Sequence, residues 1–576
     1  MNVIDNGTSN MKMRTSLSRG NVKDKEYTLP DDISYLKAED DRLDKLHHEI
    51  NRQRALVRRK LNCLSSATRV LPSELLSHIF TLAYPSPSFS PRINLQSFDT
   101  DEPAINTRIS RTGAHAVLPE PPSQKKRLPT PLMLGAVCQD WRQVAWNTPS
   151  LWSSLDLRPF PSKQHLDYIC GLLDLYIKNG GSAGLNLEIV IHWAIAVDVL
   201  RSREEFSEDV IPHFGERVFS SKEVTTRIRT LVLSNPPVAW FPYLSKGGFT
   251  NLHTLTIIDT VPEIQPSCLT LTNVPSLRHL SLWGIQDSLS LPFGQLQSLT
   301  LRDMPIDVMF ELLISAPNIT SFRTISSIEP RISRLRPQIP ETPITLSNIQ
   351  HFEWSGLYDH WSKHFQHLRL PSLRYLHFHE DIPVREPGVI PWFCSLPETL
   401  KTLHLTRFWD INTVKDVLSS LPQLETVILE KCNSPIIPRA FEALEFSNRL
   451  PLPTKYVSTL TGSILPNLRK IKIEHANFTA DETAFPVEAS DSIARALLSR
   501  MWTVPHGATF TLEISPPEIM RWSPEAVQAL TDVNMHDPGL LRVIVGGDEL
   551  IRGGSRRRQG SLERWKCLDS ACCTAI

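Results

Sequence analysis

Histidine, glutamate and tyrosine recur at matched places in three consecutive short segments of this 576-residue chain. They are His351 and Glu353, then Tyr375, His377 and His379, then His404 between Thr402 and Thr406. If the segments pair as adjacent strands, four histidines come to lie in neighbouring rows. Imidazoles beside a carboxylate suit a metal site, or a partner surface that responds to pH. Ordinary exposed strand residues would give the same pattern, so we read these as a candidate substrate-binding face and assign no metal. A second run, His360, His364 and His367, falls at i, i+4 and i+7 on one helical face, with no carboxylate or cysteine evident to complete a zinc set. Cys573 stands fourth from the last residue given, in the form of a C-a-a-X lipidation box, with Arg556 to Arg558 upstream. Thr574 and Ile576 fit that box imperfectly, and a lone prenyl chain anchors only marginally. No glycine-rich phosphate loop, Cys-x-x-Cys pair or Gly-x-Ser-x-Gly elbow occurs. We therefore expect no cofactor and no catalytic residue; the chain does not read as an enzyme.

The elements that must position the histidines repeat along the chain. A Leu-x-x-Leu-x-Leu pattern aligns Ile228/Leu231/Leu233, Leu252/Leu255/Ile257, Leu277/Leu280/Leu282, Leu296/Leu299/Leu301 and the weaker Ile319/Phe322. It continues through Ile349/Phe352/Trp354, Leu373/Leu376/Phe378, Leu400/Leu403/Leu405, Leu424/Val427/Leu429 and Leu468/Ile471/Ile473. Alternation within each unit buries one strand face, and no unit can bury that face alone, so the units must stack. Most spacings lie in or near the window of leucine-rich repeats, and the array is expected over 228–476. The asparagine usual after such a strand is mostly missing. The last spacing, 44 residues, predicts an insertion or one unrecognised repeat. An α/β sheet domain that merely favours Leu-x-Leu strands is the other reading. A connecting segment over 158–227 precedes the array. A cap over 477–554 and a flexible tail over 555–576 follow it.

Composition narrows the function classes. Lys plus Arg and Asp plus Glu both number 61, so no chain-wide basic field is available for nucleic acid. Nine scattered cysteines fit a reducing compartment. No signal peptide or membrane span is read, which makes a cytoplasmic or nuclear protein the expectation.

Before the array come short amphipathic patterns. Leu71-Pro72-Ser73-Glu74-Leu75-Leu76 leads to Ile79 and Phe80, with Pro72 suited to a first helical turn. Val137, Cys138 and Trp141 lie on a second helical face, closed by Asn147, Pro149, Leu151 and Trp152. Helices this short need another surface to pack on. The opening at 71–80, the Val-Cys-x-x-Trp-Arg centre at 137–142 and the Pro-x-Leu-Trp close at 149–152 resemble the F-box. The resemblance implies docking onto the Skp-family adaptor of a cullin–RING ubiquitin ligase. Leu71, Pro72, Leu75, Leu76, Ile79, Phe80, Val137, Cys138, Trp141, Leu151 and Trp152 would serve as contacts or internal core, and the repeats would bind an unknown protein substrate. The module would span 67–157, with a disordered insertion at about 86–130 that an exposed loop tolerates at little entropic cost. Ahead of it, a disordered tail over 1–33 leads into a helix over 34–66 carrying Leu36, Leu43, Ile50, Val57 and Leu64 at seven-residue steps. Its companion seam is poor, which favours packing on its own chain over self-association. The expected architecture is α/β: a short N-terminal helical F-box-like module, then a leucine-rich-repeat solenoid. A repeat scaffold outside any ligase is the alternative.

Overall fold

The computed structural model describes residues 29–65, 71–83, 130–158, 163–190, 210–258, 269–284, 289–325, 343–355, 364–379, 389–407, 411–432, 436–442, 465–475, 487–501, 509–515, 523–536, 541–545 and 548–551. Two compact units result, one drawn from 1–79 and 130–146, the other from 80–129 and 147–576. Cys573, His360, most of the expected insertion and the terminal tails lie outside the described residues.

The first unit is helical. α1 spans Leu29–Ser65, α2 starts at Ser73 and ends at Ala83 beyond the unit, α3 is Thr130–Val137 and α4 is Gln139–Trp146. Gly135 is what lets α3 and α4 close on one another. A β-carbon there would meet the Trp146 ring at 2.4 Å. Arg142 Nε donates to the Gly135 carbonyl at 2.8 Å, and the Cys138 sulfur accepts the Trp141 N–H at 3.4 Å at the start of α4. Leu134, Val144 and Ala145 fill the space between. The seven-residue seam of α1 departs from expectation. Leu36, Leu43, Ile50 and Val57 are all exposed, so among the described residues that seam does not pack on its own chain.

The second unit is an α/β fold with one large parallel sheet flanked by helices. Its fifteen strands lie side by side in chain order. They are β1 Ser154–Leu157, β2 Leu185–Val190, β3 Ile228–Ser234, β4 Thr254–Ile258 and β5 His279–Trp283. Then come β6 Ser298–Arg302, β7 Ser321–Ile325, β8 His351–Ser355, β9 Tyr375–His379 and β10 Thr402–Thr406. β11 Thr426–Glu430, β12 Lys470–Glu474, β13 Phe510–Ser515, β14 Leu541–Val545 and β15 Asp548–Ile551 complete it; only the last pair is antiparallel. All ten repeat units became neighbouring strands, the weak Ile319/Phe322 unit included. The sheet also extends past the expected array at both ends, taking in β1 and β2 before it and β13 to β15 after it. Strand β11 pairs directly with β12, so no strand of this sheet lies between them despite the long spacing.

Three backbone devices recur and set the register. The first leucine of a unit closes a tight turn, as Leu373 N–H does on Leu370 and Leu424 N–H on Leu421. Next, one carbonyl per unit accepts two N–H groups of the following unit: Gln350 takes Arg374 and Tyr375, Arg374 takes Lys401 and Thr402, Lys401 takes Glu425 and Thr426. Finally, the residue after the strand often turns left-handed and donates to the end of the next strand. Asn235, Gly284, Asp303, Arg407, Lys431 and His475 do this with φ between 47° and 69°. Left-handed φ is uncommon outside glycine, asparagine and aspartate, yet Arg407, Lys431 and His475 also adopt it here. A side-chain ladder accompanies these bonds. Asn251, Ser276, Asn318, Asn348, Thr399, Gln423 and Asn467 each precede or nearly precede a first buried apolar residue, and each donates to a carbonyl of the preceding unit.

Strand burial alternates: in β8, β9, β11 and β12 the second and fourth residues are buried and the rest half-buried. The helices lie against the buried face. Phe365 meets Trp354 edge-on at 4.7 Å and stacks on Trp392 at 4.8 Å, while Phe393 meets Phe378 at 5.8 Å. This leaves the half-buried residues of β7 to β13 as a second, open face.

Candidate functional site

Register turns the open face into rows. One row is His351, Tyr375, Thr402, Thr426 and Lys470. The next is Arg323, Glu353, His377, His404, Ile428, Lys472 and Glu513, and a third contains Ser355, His379, Thr406, Glu430 and Glu474. Every candidate of the histidine set therefore lies on one face, in the strands β8 to β10 expected to carry it.

Two carboxylates organise the cluster. Glu353 accepts from Arg323 Nε at 2.8 Å and from His351 Nε2 at 3.0 Å, and His377 Nδ1 stands 3.9 Å away. Burial pushes the Glu353 carboxyl up, but the imidazoles and the Arg323 charge outweigh it and hold it well below the usual carboxylate range. Glu430 accepts from His404 Nε2 at 2.9 Å and from the Thr406 hydroxyl at 3.3 Å. The His404 bond, opposed by burial, lowers Glu430 to about 2. An ionised carboxylate only accepts, so Nε2 of His404 donates to Glu430, and its Nδ1 lies 3.0 Å from the Tyr375 hydroxyl. Burial, with the Glu353 and Glu430 charges behind it, raises Tyr375 to about 12, so it stays a donor. His377 Nε2 reaches Thr406 Oγ1 at 2.9 Å, and burial holds this imidazole below its ordinary value.

The rings are stacked as well as bonded. His377 and His404 lie face to face at 3.9 Å and 7°, and His351 and Tyr375 at 4.1 Å and 7°. His379 is tied to Ser355 at 3.2 Å. Polar contacts continue on the far side, where Lys472 reaches Glu474 at 2.7 Å and Lys470 reaches Glu513 at 2.7 Å. The result is a pre-ordered, mixed-charge surface with stacked imidazoles and two hydrogen-bonded carboxylates at its centre. Arg323 and Glu430 belong to it but were not among the residues singled out from the sequence. The available signal was register: each occupies a row position one strand beyond the histidine-bearing units.

The remaining candidates separate. His364 does not join a zinc set with His367; its ring is buried against Phe310 at 5.1 Å. On α2, Leu76 and Phe80 are buried whereas Leu75 and Ile79 are exposed, and Leu71 is half-buried above an exposed Pro72. Val137 is exposed, with Cys138 and Trp141 half-buried. Leu151 and Trp152 belong to the core of the second unit, where Trp152 meets Tyr176 edge-on at 5.1 Å. They are therefore unavailable as direct partner contacts. No described helix is long and apolar enough to cross a membrane.

No family model and no curated protein matches the chain. Among solved structures, an internalin from Listeria monocytogenes is similar over 60% of this chain and 86% of its own, at 13% identity and a TM-score of 0.27. A protein from Bacteroides fragilis is similar over 54% of this chain and 71% of its own, at 12% identity and a TM-score of 0.24. At such scores neither likeness carries an argument about fold or function.

Proposed function

We propose that the chain is the substrate-recognition subunit of a Skp–cullin–F-box type ubiquitin ligase. In this reading the helices around 71–83 and 130–146 dock the adaptor, and a leucine-rich-repeat array presents its open face to a target protein. The observation that supports it is the division of labour on α2. In the Leu-Pro-x-Glu-Leu-Leu-x-x-Ile-Phe stretch, Leu76 is 4% exposed and holds the helix, while Leu75 and Ile79 are 51% and 44% exposed. Large aliphatic side chains held out on a short helix fit a partner groove read at i and i+4. The repeat reading is supported by ten Leu-x-x-Leu-x-Leu units, each giving one strand of a parallel sheet. No residue of the chain would perform bond chemistry; catalysis would come from holding the target near a charged ubiquitin carrier.

The test is purification of the tagged full chain from cells with proteasome activity blocked, beside a Leu75→Glu/Ile79→Glu variant. The reading expects adaptor and cullin with the wild type and neither with the variant. Recovery of target proteins alone, with no adaptor in either sample, would make the chain a repeat scaffold outside any ligase.

A further inference from the structure

We propose that His377, His404 and Glu430 form a binding site for a divalent transition-metal ion of the zinc class, with the Thr406 hydroxyl or a water completing the shell. The inference is independent of the ligase reading, because it rests on the open face of the sheet and not on the helical unit.

Geometry carries it. One ligand atom from each of the three side chains lies within 4.8 Å of the other two. Four-coordinate zinc with N and O ligands at about 2.0–2.2 Å needs neighbouring ligand atoms roughly 3.3 Å apart. His404 Nε2 and Glu430 Oε2 are already 2.9 Å apart. The Thr406 oxygen marks the point of convergence, at 2.9 Å from His377 Nε2, 3.2 Å from His404 Nε2 and 3.3 Å from Glu430 Oε2. The two imidazoles are parallel, so their in-plane lone pairs run side by side. One ring must therefore turn about its Cβ–Cγ bond before both nitrogens face a common ion, and terminal torsions of this kind are broad.

Each ring must present a bare nitrogen to the ion. Thr406 gives its one hydroxyl proton to Glu430, so His377 Nε2 donates to the Thr406 oxygen and must pass its proton to Nδ1, on the Glu353 side, before it can ligate. His404 makes the corresponding change. Its proton moves from Nε2 to Nδ1, where it donates to the Tyr375 oxygen now 3.0 Å away. Tyr375 then becomes the outer partner that orients a metal-bound histidine, and Glu353, 3.9 Å from His377 Nδ1, stands where the second such partner belongs. Two nitrogens and one carboxylate select zinc, cobalt, nickel or copper over magnesium and calcium, which take oxygen shells. Three parallel strands supply the three ligands, so the site is held by the register of the sheet.

The experiment titrates zinc(II) into the metal-depleted full chain against a chromophoric chelator, with Glu430→Gln and a His377→Ala/His404→Ala double variant beside it. The inference expects one equivalent that weakens at least tenfold in Glu430→Gln and disappears in the double variant, and about a tenfold weakening in Tyr375→Phe. Glu430→Gln keeps the side-chain volume and a carbonyl acceptor for His404, so it reads the site even where the double variant loses its fold. Cobalt(II) supplies a second readout. Ligand-field bands without thiolate charge transfer, lost in Glu430→Gln, identify this site among a chain with 9 cysteines and 19 histidines. Equal zinc affinity in wild type and Glu430→Gln, or no binding at all, would leave the cluster a hydrogen-bond network only and overturn the proposal.

Discussion

Two neighbouring leucines of one helix should respond to truncation in opposite ways. Leu76 is 4% exposed and Leu75 is 51% exposed on the same α2 turn. Replacing Leu76 by alanine removes buried aliphatic volume, and such Leu→Ala changes cost about 2–5 kcal/mol. Most of that falls on the helical unit, so amide exchange across the described part of α2 should accelerate by roughly the factor of thirty or more that 2 kcal/mol implies. Leu75→Ala removes little buried surface, and alanine is the better helix former; stability should stay within about 0.5 kcal/mol of wild type. If Leu75 is an anchor for the adaptor, its truncation costs about 2 kcal/mol of binding, a roughly thirtyfold rise in Kd. The assay is hydrogen exchange by mass spectrometry for stability, with calorimetric titration of the Skp-family adaptor for binding. Equal protection losses in both variants would refute the division between a holding and a docking leucine. Unchanged adaptor affinity in a folded Leu75→Ala protein would refute the docking role itself.

Phe365→Ala empties the space between Trp354, Trp392 and Phe352 on the helix side of the sheet. Changes of this kind cost about 3–5 kcal/mol, read as a lowered melting temperature by tryptophan fluorescence. A strained turn should respond to glycine: Lys431 sits at φ 50°, and Lys431→Gly should hold or raise the melting temperature while Lys431→Val lowers it. The depressed pKa of Glu353 gives a pH signature. A carboxyl held lower in the folded than the unfolded chain stabilises above its ordinary 4.5 and loses that contribution as pH falls below it. Melting of wild type and Glu353→Gln should therefore differ most near pH 6 and converge in acid; a constant difference would deny the linkage.

Much of the sheet was legible because its signal is local. Alternation such as Phe352/Trp354 or Leu403/Leu405 states both that a strand forms and which face is buried, and stacking then follows from the need to cover that face. The histidine cluster was legible for the same reason: residues between buried positions of adjacent units must share a row. Glu430 and Arg323 were missed because they complete the cluster from strands that carry no histidine, which only register across units reveals. Strands β1 and β2 were missed as sheet members because each offers one short alternation that falls outside the Leu-x-x-Leu-x-Leu alignment. The seam of α1 misled differently. An apolar heptad states that something covers it, but not what, and no described residue does. Leu151 and Trp152 continue the motif in sequence yet pack with Tyr176, because burial is decided by the neighbours a side chain acquires in three dimensions.

Direct titration of the purified Skp-family adaptor into the full-length chain tests the central claim. The account predicts a one-to-one complex that Leu75→Glu/Ile79→Glu abolishes without altering the melting temperature. A wild-type chain that is folded and binds no adaptor would contradict it.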